Sequence, residues 1–514
     1  MIRKRIAAVG AAIAATVLVL TGCGSGEDTE ASSGGDLVIV RSQDSTTLLP
    51  NTTTQNSDIW TLQQVYETLT LNSPDGSGVQ PGLATDWEES EDKLSWTFNL
   101  RPGVTFHSGK ELTSADVKFS LDYARDTEDD TNLWSGEFTP IDNVEIVDDD
   151  TVEIQLNQPW SPLPSYMALF AASIYPEDFG GHDAEYMAEN TDGTGPFKFD
   201  SWTKGQSLKL VKNDDYWNED QPSVDSVTFN VVADDNTRML QLQGGQAHIN
   251  EEPSATSMEN LGASGDVTAE EFDSTKLLYF NLNNNVEGLD DPKIRRAMSF
   301  AIDRESVINT ILAGYGDVAT SFISPGLAGH SADVDGGTFD MEQAKKLVAD
   351  SEHPDGLSLT LQVTSGVQDR EQLAQVAQQA WADLGIDVTI EKLDAPTLSS
   401  NRTDGNFDMQ IGYATSDVSD TSQMVSFLAL TKDGGIRSGY ANDEVYALAE
   451  DAVKESDETK RNELYAQIQQ KVADEAPIIP VAYQKALYGY SNDVEGFRPY
   501  VLGTYGLKEL TLAD

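Results

Sequence analysis

Two aspartates, Asp417 and Asp420, follow the stretch Phe407-Asp408-Met409-Gln410-Ile411-Gly412-Tyr413 in a loop rich in Ser and Thr. In open α/β sheets ligands bind outside the carboxyl ends of strands, and a carboxylate there is a counter-ion for a cationic ligand group. Other chemistry is scarce. The five histidines, His107, His182, His248, His330 and His353, are scattered without metal-ligand spacing. No His-Glu-x-x-His, Gly-x-Ser-x-Gly, Gly-x-x-x-x-Gly-Lys or Gly-x-Gly-x-x-Gly occurs. Ser331-Ala332-Asp333-Val334-Asp335-Gly336 with Glu342 has the spacing of a calcium loop, but its first ligand would be Ser. Asp340 to Gln343 reads better as an N-cap with a capping box. Asp148-Asp149-Asp150 reads as a solvated hairpin turn. The residues point to neither a catalytic group nor a metal or cofactor, and the chain is expected not to be an enzyme.

The elements that would position the loop are of two kinds. The first half alternates apolar and polar residues in strands: Trp96 to Leu100, Val144 to Ile146, Val152 to Leu156, Leu208 to Val211 and Val227 to Val231. The second half is α/β. Asp291-Pro292 is an N-cap with proline at N1, and Ile294, Ala297, Met298, Ala301 and Ile302 follow at helical spacing. Leu357 to Val363 alternates as a strand. Leu373, Val376, Ala377, Ala380, Trp381 and Leu384 form a helical face stopped by Gly385, and Ile386, Val388 and Ile390 begin the next strand. This β-α-β unit predicts two parallel strands.

The amino-terminal end carries a different chemistry. Arg3, Lys4 and Arg5 precede an apolar run from Ile6 to Leu20, which as a helix would be about 22 Å long. That is short of a hydrocarbon core of about 30 Å, so residues 1–22 read as a signal peptide. Leu20-Thr21-Gly22-Cys23 looks like a lipobox, and Cys23 is the chain's single cysteine, which excludes an internal disulfide. Residues 23–36 read as a flexible tether, and the remainder is long enough for two or three domains. With 33 Lys and Arg against 86 Asp and Glu, the formal net charge is −53. Such a field repels nucleic acid and anionic lipid and favours a soluble monomer.

Several further stretches converge on one family. Pro81-Gly82-Leu83-Ala84-Thr85-Asp86-Trp87 leads to Leu100-Arg101-Pro102-Gly103-Val104-Thr105-Phe106-His107-Ser108-Gly109 and Leu112-Thr113-Ser114-Ala115-Asp116-Val117-Lys118-Phe119-Ser120. Gly193-Thr194-Gly195-Pro196-Phe197-Lys198-Phe199, Asn213-Asp214-Asp215-Tyr216-Trp217, Asp291-Pro292-Lys293-Ile294-Arg295-Arg296-Ala297 and Ala301-Ile302-Asp303-Arg304 follow in order. From about residue 36 onward the chain resembles the family 5 extracellular solute-binding proteins, the peptide/nickel class that serves ABC importers. The motifs themselves read as architecture. The Gly193 and Gly195 turn would allow positive φ, and Arg295 and Arg296 would sit on a helix's polar side.

The resemblance implies an α/β fold: a two-lobed periplasmic-binding-protein-like clamp, its mixed sheets flanked by helices, with an extra domain inserted. Lobe I would comprise 36–75, 190–285 and 487–514, the insert 76–189 and lobe III 286–486. Closure about a hinge would enclose ligand. The partners implied are a peptide or small-molecule ligand and the permease and ATPase subunits of the importer. The protein would be anchored at the cell surface or in the periplasm through Cys23. Peptide binders of the family place an aspartate for the ligand's ammonium in a loop after a Gly-Trp strand end. Here Gly412-Tyr413 ends the strand and Asp417 is the best match, with Ser416 a shifted rival. Asp420, Thr54, Asn56 and Thr364 complete the candidate ligand-binding set. Dipeptide binders also place an Arg for the ligand carboxylate after the preceding strand, yet Gln362 to Gly366 holds none before Arg370. That leaves longer peptides as the leading reading, with another solute (an oligosaccharide, opine or metal chelate) as the alternative. For the anchor the expected outcome is concrete: Cys23→Ser should release folded protein from the membrane, and fractionation that leaves it membrane-bound would refute the lipobox.

Overall fold

The computed structural model describes residues 34–129, 131–430 and 435–513. The leader, Cys23 and most of the tether lie outside the described residues. Among the described residues no helix is long and apolar enough to cross a membrane.

Three sheets organise the chain. The seven-stranded sheet runs in the order Val267–Phe272, Ala486–Ser491, Ile249–Glu251, Asp36–Arg41, Ser226–Val231, Ser207–Lys212 and Phe197–Thr203. Asp36–Arg41 is parallel to both neighbours, and the expected strands around Leu208 and Val227 pair antiparallel. A four-stranded antiparallel sheet holds Ala84–Glu89, Ser95–Leu100, Thr151–Leu156 and Ile141–Asp148, the last two joined by the aspartate turn. These two sheets share one hydrophobic core that includes Ile39, Phe98, Val152 and Phe229.

The six-stranded sheet follows the order Gly316–Val318, Ile478–Gln484, Leu277–Leu282, Met409–Ala414, Leu357–Thr364 and Ile386–Leu393. The predicted β-α-β unit is present, Leu357–Thr364 pairing parallel with Ile386–Leu393 through the helix Gln368–Ala382. Alternation sorts Leu277–Leu282 between two cores, Phe280 facing one and Tyr279 the other. In Ile478–Gln484 a bulge at Val481 interrupts the alternation, so Ile479 and Val481 face the first core and Ile478 and Tyr483 the second.

Local capping behaves as the residue types dictate. Asp291 accepts from the Lys293 N–H at 2.8 Å, and Asp340 from the Gln343 N–H at 2.9 Å. Three expectations need correction. Val376 is 37% exposed, and Ala374 takes its place beside Leu373, Ala377 and Trp381, because position 376 falls at the edge of the face that i, i+4, i+8 spacing defines. Arg295 is 3% exposed rather than on the polar side; its guanidinium donates to the carbonyls of Leu289, Asp290 and Glu475, so hydrogen bonds offset its burial. Gly193 and Gly195 do not adopt positive φ. They are needed for close approach, since a Cβ would lie 2.0 and 2.6 Å from the Val65 carbonyl oxygen.

That approach brings two distant motifs onto one buried carboxylate. Glu67 accepts from Thr194 Oγ1 at 2.8 Å, Tyr216 Oη at 2.8 Å and Trp217 Nε1 at 3.1 Å. Arg304, in the Ala-Ile-Asp-Arg stretch, plays a comparable part in the other body. It is fully buried and donates to the carbonyls of Pro480, Ser299 and Gly337 at 2.8–3.1 Å. Burial lowers its pKa to about 10, so it remains a cation at neutral pH. Arg304→Met would strand those carbonyls and should cost about 3 kcal/mol or more of stability in urea denaturation. Arg304→Lys should recover little of it, because an ammonium lacks the planar fork.

Candidate functional site

The two large sheets exchange strands at one place. Val267–Phe272 belongs to the seven-stranded sheet and Leu277–Leu282 to the six-stranded one, so the chain passes between them at 273–276. It returns at Lys485, the single residue between Ile478–Gln484 and Ala486–Ser491. The passages are tied together: the Gln484 N–H donates to the Lys276 carbonyl at 2.8 Å, and Ser274 Oγ donates to the Gln484 carbonyl at 2.6 Å. Lys485 is held by Asp273 at 2.7 Å and Asp317 at 2.6 Å.

A cavity of about 520 Å³ opens at this crossing. The helix Asn56–Leu62 supplies Asn56, Ile59 and Trp60 to its wall, the crossing supplies Thr275 and Lys276, and the strand Met409–Ala414 and its following loop supply Tyr413, Thr415 and Asp417. Leu357–Thr364 and Met409–Ala414 run parallel, so their carboxyl ends meet on this side.

Asp417 is the notable charge. Its main chain is fixed, the N–H donating to Gln423 Oε1 at 2.8 Å and the carbonyl accepting from Asn72 Nδ2 at 3.3 Å. Its carboxylate makes no hydrogen bond or ion pair among the described residues. Burial pushes the acid up to about 7, and the nearby charge of Glu137 adds to the shift. Glu137 is itself raised by burial, partly offset by a hydrogen bond with Tyr166. A lone carboxylate in a cavity wall is a receptor for a cation.

Cations gather beside Tyr413. Lys276 Nζ lies 5.1 Å from the ring centre and Arg370 Cζ lies 5.0 Å from it. Lys276 has Glu252 at 4.0 Å, and Arg370 Nη1 donates to Thr364 Oγ1 at 3.1 Å. The strand end that lacks an Arg in sequence therefore has one in space. Arg370 sits in the first turn of Gln368–Ala382, and helical side chains lean back toward the amino terminus.

Of the sequence-derived candidates, Asp417, Tyr413 and Asn56 line the cavity. Gly412 lies against Tyr279, where a Cβ would come within 3.0 Å of the hydroxyl. Ser416 is buried, its N–H donating to Thr275 Oγ1 at 3.1 Å and its hydroxyl to the Val418 carbonyl at 2.7 Å. Asp420 faces away, accepting from Tyr465 Oη at 3.2 Å and pairing with Arg461 at 3.5 Å. Thr54 is exposed ahead of the first helix, and Thr364 meets Arg370. Lys276 and Glu252 were not legible in the sequence, because neither belongs to a motif: Lys276 reaches the cavity from the crossing and Glu252 from the end of the strand Ile249–Glu251.

The comparisons with known proteins agree with this geometry. The family model for bacterial extracellular solute-binding proteins, family 5 Middle, matches residues 78–435. The chain belongs to this family. Among curated relatives of this family 5 protein, the probable D,D-dipeptide-binding periplasmic protein DdpA of Escherichia coli is 30% identical, covering 90% of this chain and 91% of the relative. Among solved structures, DppA from Helicobacter pylori in complex with the peptide STSA superposes with a TM-score of 0.83 at 25% identity. That match covers 94% of this chain and 98% of the other. AppA from Bacillus subtilis in complex with a nonapeptide gives a TM-score of 0.80 at 26% identity, covering 94% of this chain and all of that one. The two-lobed α/β periplasmic-binding fold is therefore this protein's fold.

The raised pKa of Asp417 has a consequence for stability. The native state holds the proton up to about pH 7, whereas the unfolded chain loses it near 3.9. Stability from this group is therefore present below about pH 4 and falls as pH rises to about 7. Glu251, also pushed to about 7 by burial, adds the same sign. Urea titrations between pH 4 and 8 should show Asp417→Asn with a shallower decline than the parent, and equal slopes would contradict the burial of this acid.

Proposed function

We propose that this family 5 protein is the extracytoplasmic binding subunit of an ABC importer and that it captures short peptides at the cavity beside Asp417. The observation that carries the reading is the partly buried, lone Asp417 carboxylate in a cavity wall that also presents Lys276, with Arg370 beside the lining residue Tyr413. A free peptide amino terminus is the natural counter-ion for the first group, and a peptide carboxylate for the others. A volume of about 520 Å³ lies within the roughly 300–1,000 Å³ usual for small-ligand sites. The Lys276–Tyr413–Arg370 arrangement favours short peptides over the longer ones that the sequence suggested. An uncharged oligosaccharide would leave the Asp417 carboxylate without a counter-ion.

On this reading 36–75, 190–285 and 487–514 form one lobe, 76–189 the insert and 286–486 the other lobe. A monomer tethered to the membrane through Cys23 would close on ligand and hand it, unchanged, to the permease and its ATPase.

Calorimetry with dialanine and trialanine tests the proposal. Asp417→Asn should weaken binding roughly 30-fold or more, as expected for one partner of a dry charge pair. N-acetylation of the peptide should mimic it, and amidation of the carboxyl end should weaken binding separately. Affinity should fall as pH drops below about 7, where Asp417 protonates, and again above about 8, where the peptide amine loses its charge. Equal affinities for free and acetylated peptide would overturn the reading in favour of an uncharged solute.

A further inference from the structure

The loop that carries Asp417 is not packed solely in its own body. The strand Met409–Ala414 that delivers it belongs to the six-stranded sheet, with Met409 and Ile411 in that sheet's core. Yet Val418, one residue past Asp417, is 0% exposed and belongs to the core shared by the seven- and four-stranded sheets. Asn72, on the strand Thr70–Asn72, grips the chain on both sides of it. Its Nδ2 donates to the Asp417 carbonyl and its Oδ1 accepts from the Ser419 N–H, each at 3.3 Å.

The other face of the loop is held by a charge. Asp420, 5% exposed, accepts from the Ser422 N–H at 2.8 Å and from Tyr465 Oη at 3.2 Å, and it pairs with Arg461 at 3.5 Å. Arg461 Nη1 also donates to Ser161 Oγ at 3.0 Å, and the Ser161 N–H donates to the Val453 carbonyl at 2.7 Å. Arg461 thus joins the Asp417 loop to segment 76–189, on the side of the loop away from the cavity.

We propose that Val418 and Arg461 are positioning residues that couple peptide capture at Asp417 to docking of the two bodies, Val418 acting as a plug and Arg461 as a clasp. The inference rests on the peptide reading for its ligand and on the packing alone for its mechanism. When the bodies part, the plug meets water and Asn72 and Ser161 lose their partners, so docking is favoured by contacts one residue from the ligand anchor. The loop cannot hold Asp417 in place without also holding the seam.

Val418→Thr tests this, because the two side chains share a shape. The added hydroxyl is solvated when the loop is undocked and is forced into an apolar core when it docks. Stopped-flow binding of trialanine should show dissociation roughly tenfold faster with little change in association rate. Val418→Ile should retain slow dissociation. Arg461→Met should act in the same direction as Val418→Thr and affect free and N-acetylated trialanine equally, unlike Asp417→Asn. Hydrogen exchange in the ligand-free protein reads the plug independently: in Val418→Thr the amides of 417–421 should exchange faster while those of 409–414 do not change. If trialanine fails to bind the parent protein, the peptide reading falls and the exchange measurement still decides the plug. Unaltered dissociation in both variants, with unaltered loop exchange, would reduce Val418 and Arg461 to ordinary structural residues.

Discussion

The protein depends on a strand exchange. Residues 273–276 and Lys485 carry the chain between two sheets that otherwise build separate cores, and the backbone bond from Gln484 to Lys276 keeps the passages in register. Because each passage is so short, the strands on either side cannot slip without breaking pairing in both sheets. The cavity sits at this crossing, so side chains from both bodies meet there. Lys276 illustrates the arrangement: it leaves the crossing, faces Glu252 and lies over Tyr413.

Charge follows a corresponding division. In a chain with formal net charge −53, four arginines are nonetheless buried: Arg41, Arg238, Arg295 and Arg304. Each donates to main-chain carbonyls, as where Arg304 gathers Pro480, Ser299 and Gly337. The guanidinium fork suits such work, because it satisfies several acceptors from different segments at once. Glu67 is the acidic counterpart, gathering glycine- and tryptophan-bearing motifs that lie 127 to 150 residues from it in sequence. These charges all have hydrogen-bond partners, whereas the Asp417 carboxylate has none among the described residues. A partly buried carboxylate without a partner lowers stability at neutral pH, and a site that binds cations would have a physical reason to retain one.

Much of this was legible from residue order. The N-caps at Asp291 and Asp340, the parallel pair around the Trp381 helix and the aspartate hairpin all follow from local rules of spacing and capping. The ordered motifs announced the family because each is a fixed structural joint. Where the reading erred, packing partners far away in sequence were responsible. Arg295 looked like a surface residue until its carbonyl acceptors came into view, and Gly193 looked like a turn glycine until Val65 was found against it. The absence of an Arg after Leu357–Thr364 looked like an absence of positive charge, yet Arg370 folds back to Thr364.

The sequence by itself determined many of the elements and the family, because these follow from periodicity, from neighbours a few residues apart and from motif order, and it singled out the loop after Tyr413 as the place to look for a carboxylate. It ranked Asp417 first, with Ser416 a shifted rival, but did not show how the surroundings of Asp417 differ from those of Asp420. Three residues separate them, but one faces the cavity without a partner and the other is paired to Arg461 on the far side of the loop. That difference was made by tertiary structure. Asn72, 345 residues away in sequence, fixes the Asp417 main chain, and Val418 turns into the core of the opposite body. No local rule specifies such contacts, since they join segments of different hydrophobic cores that lie far apart in sequence.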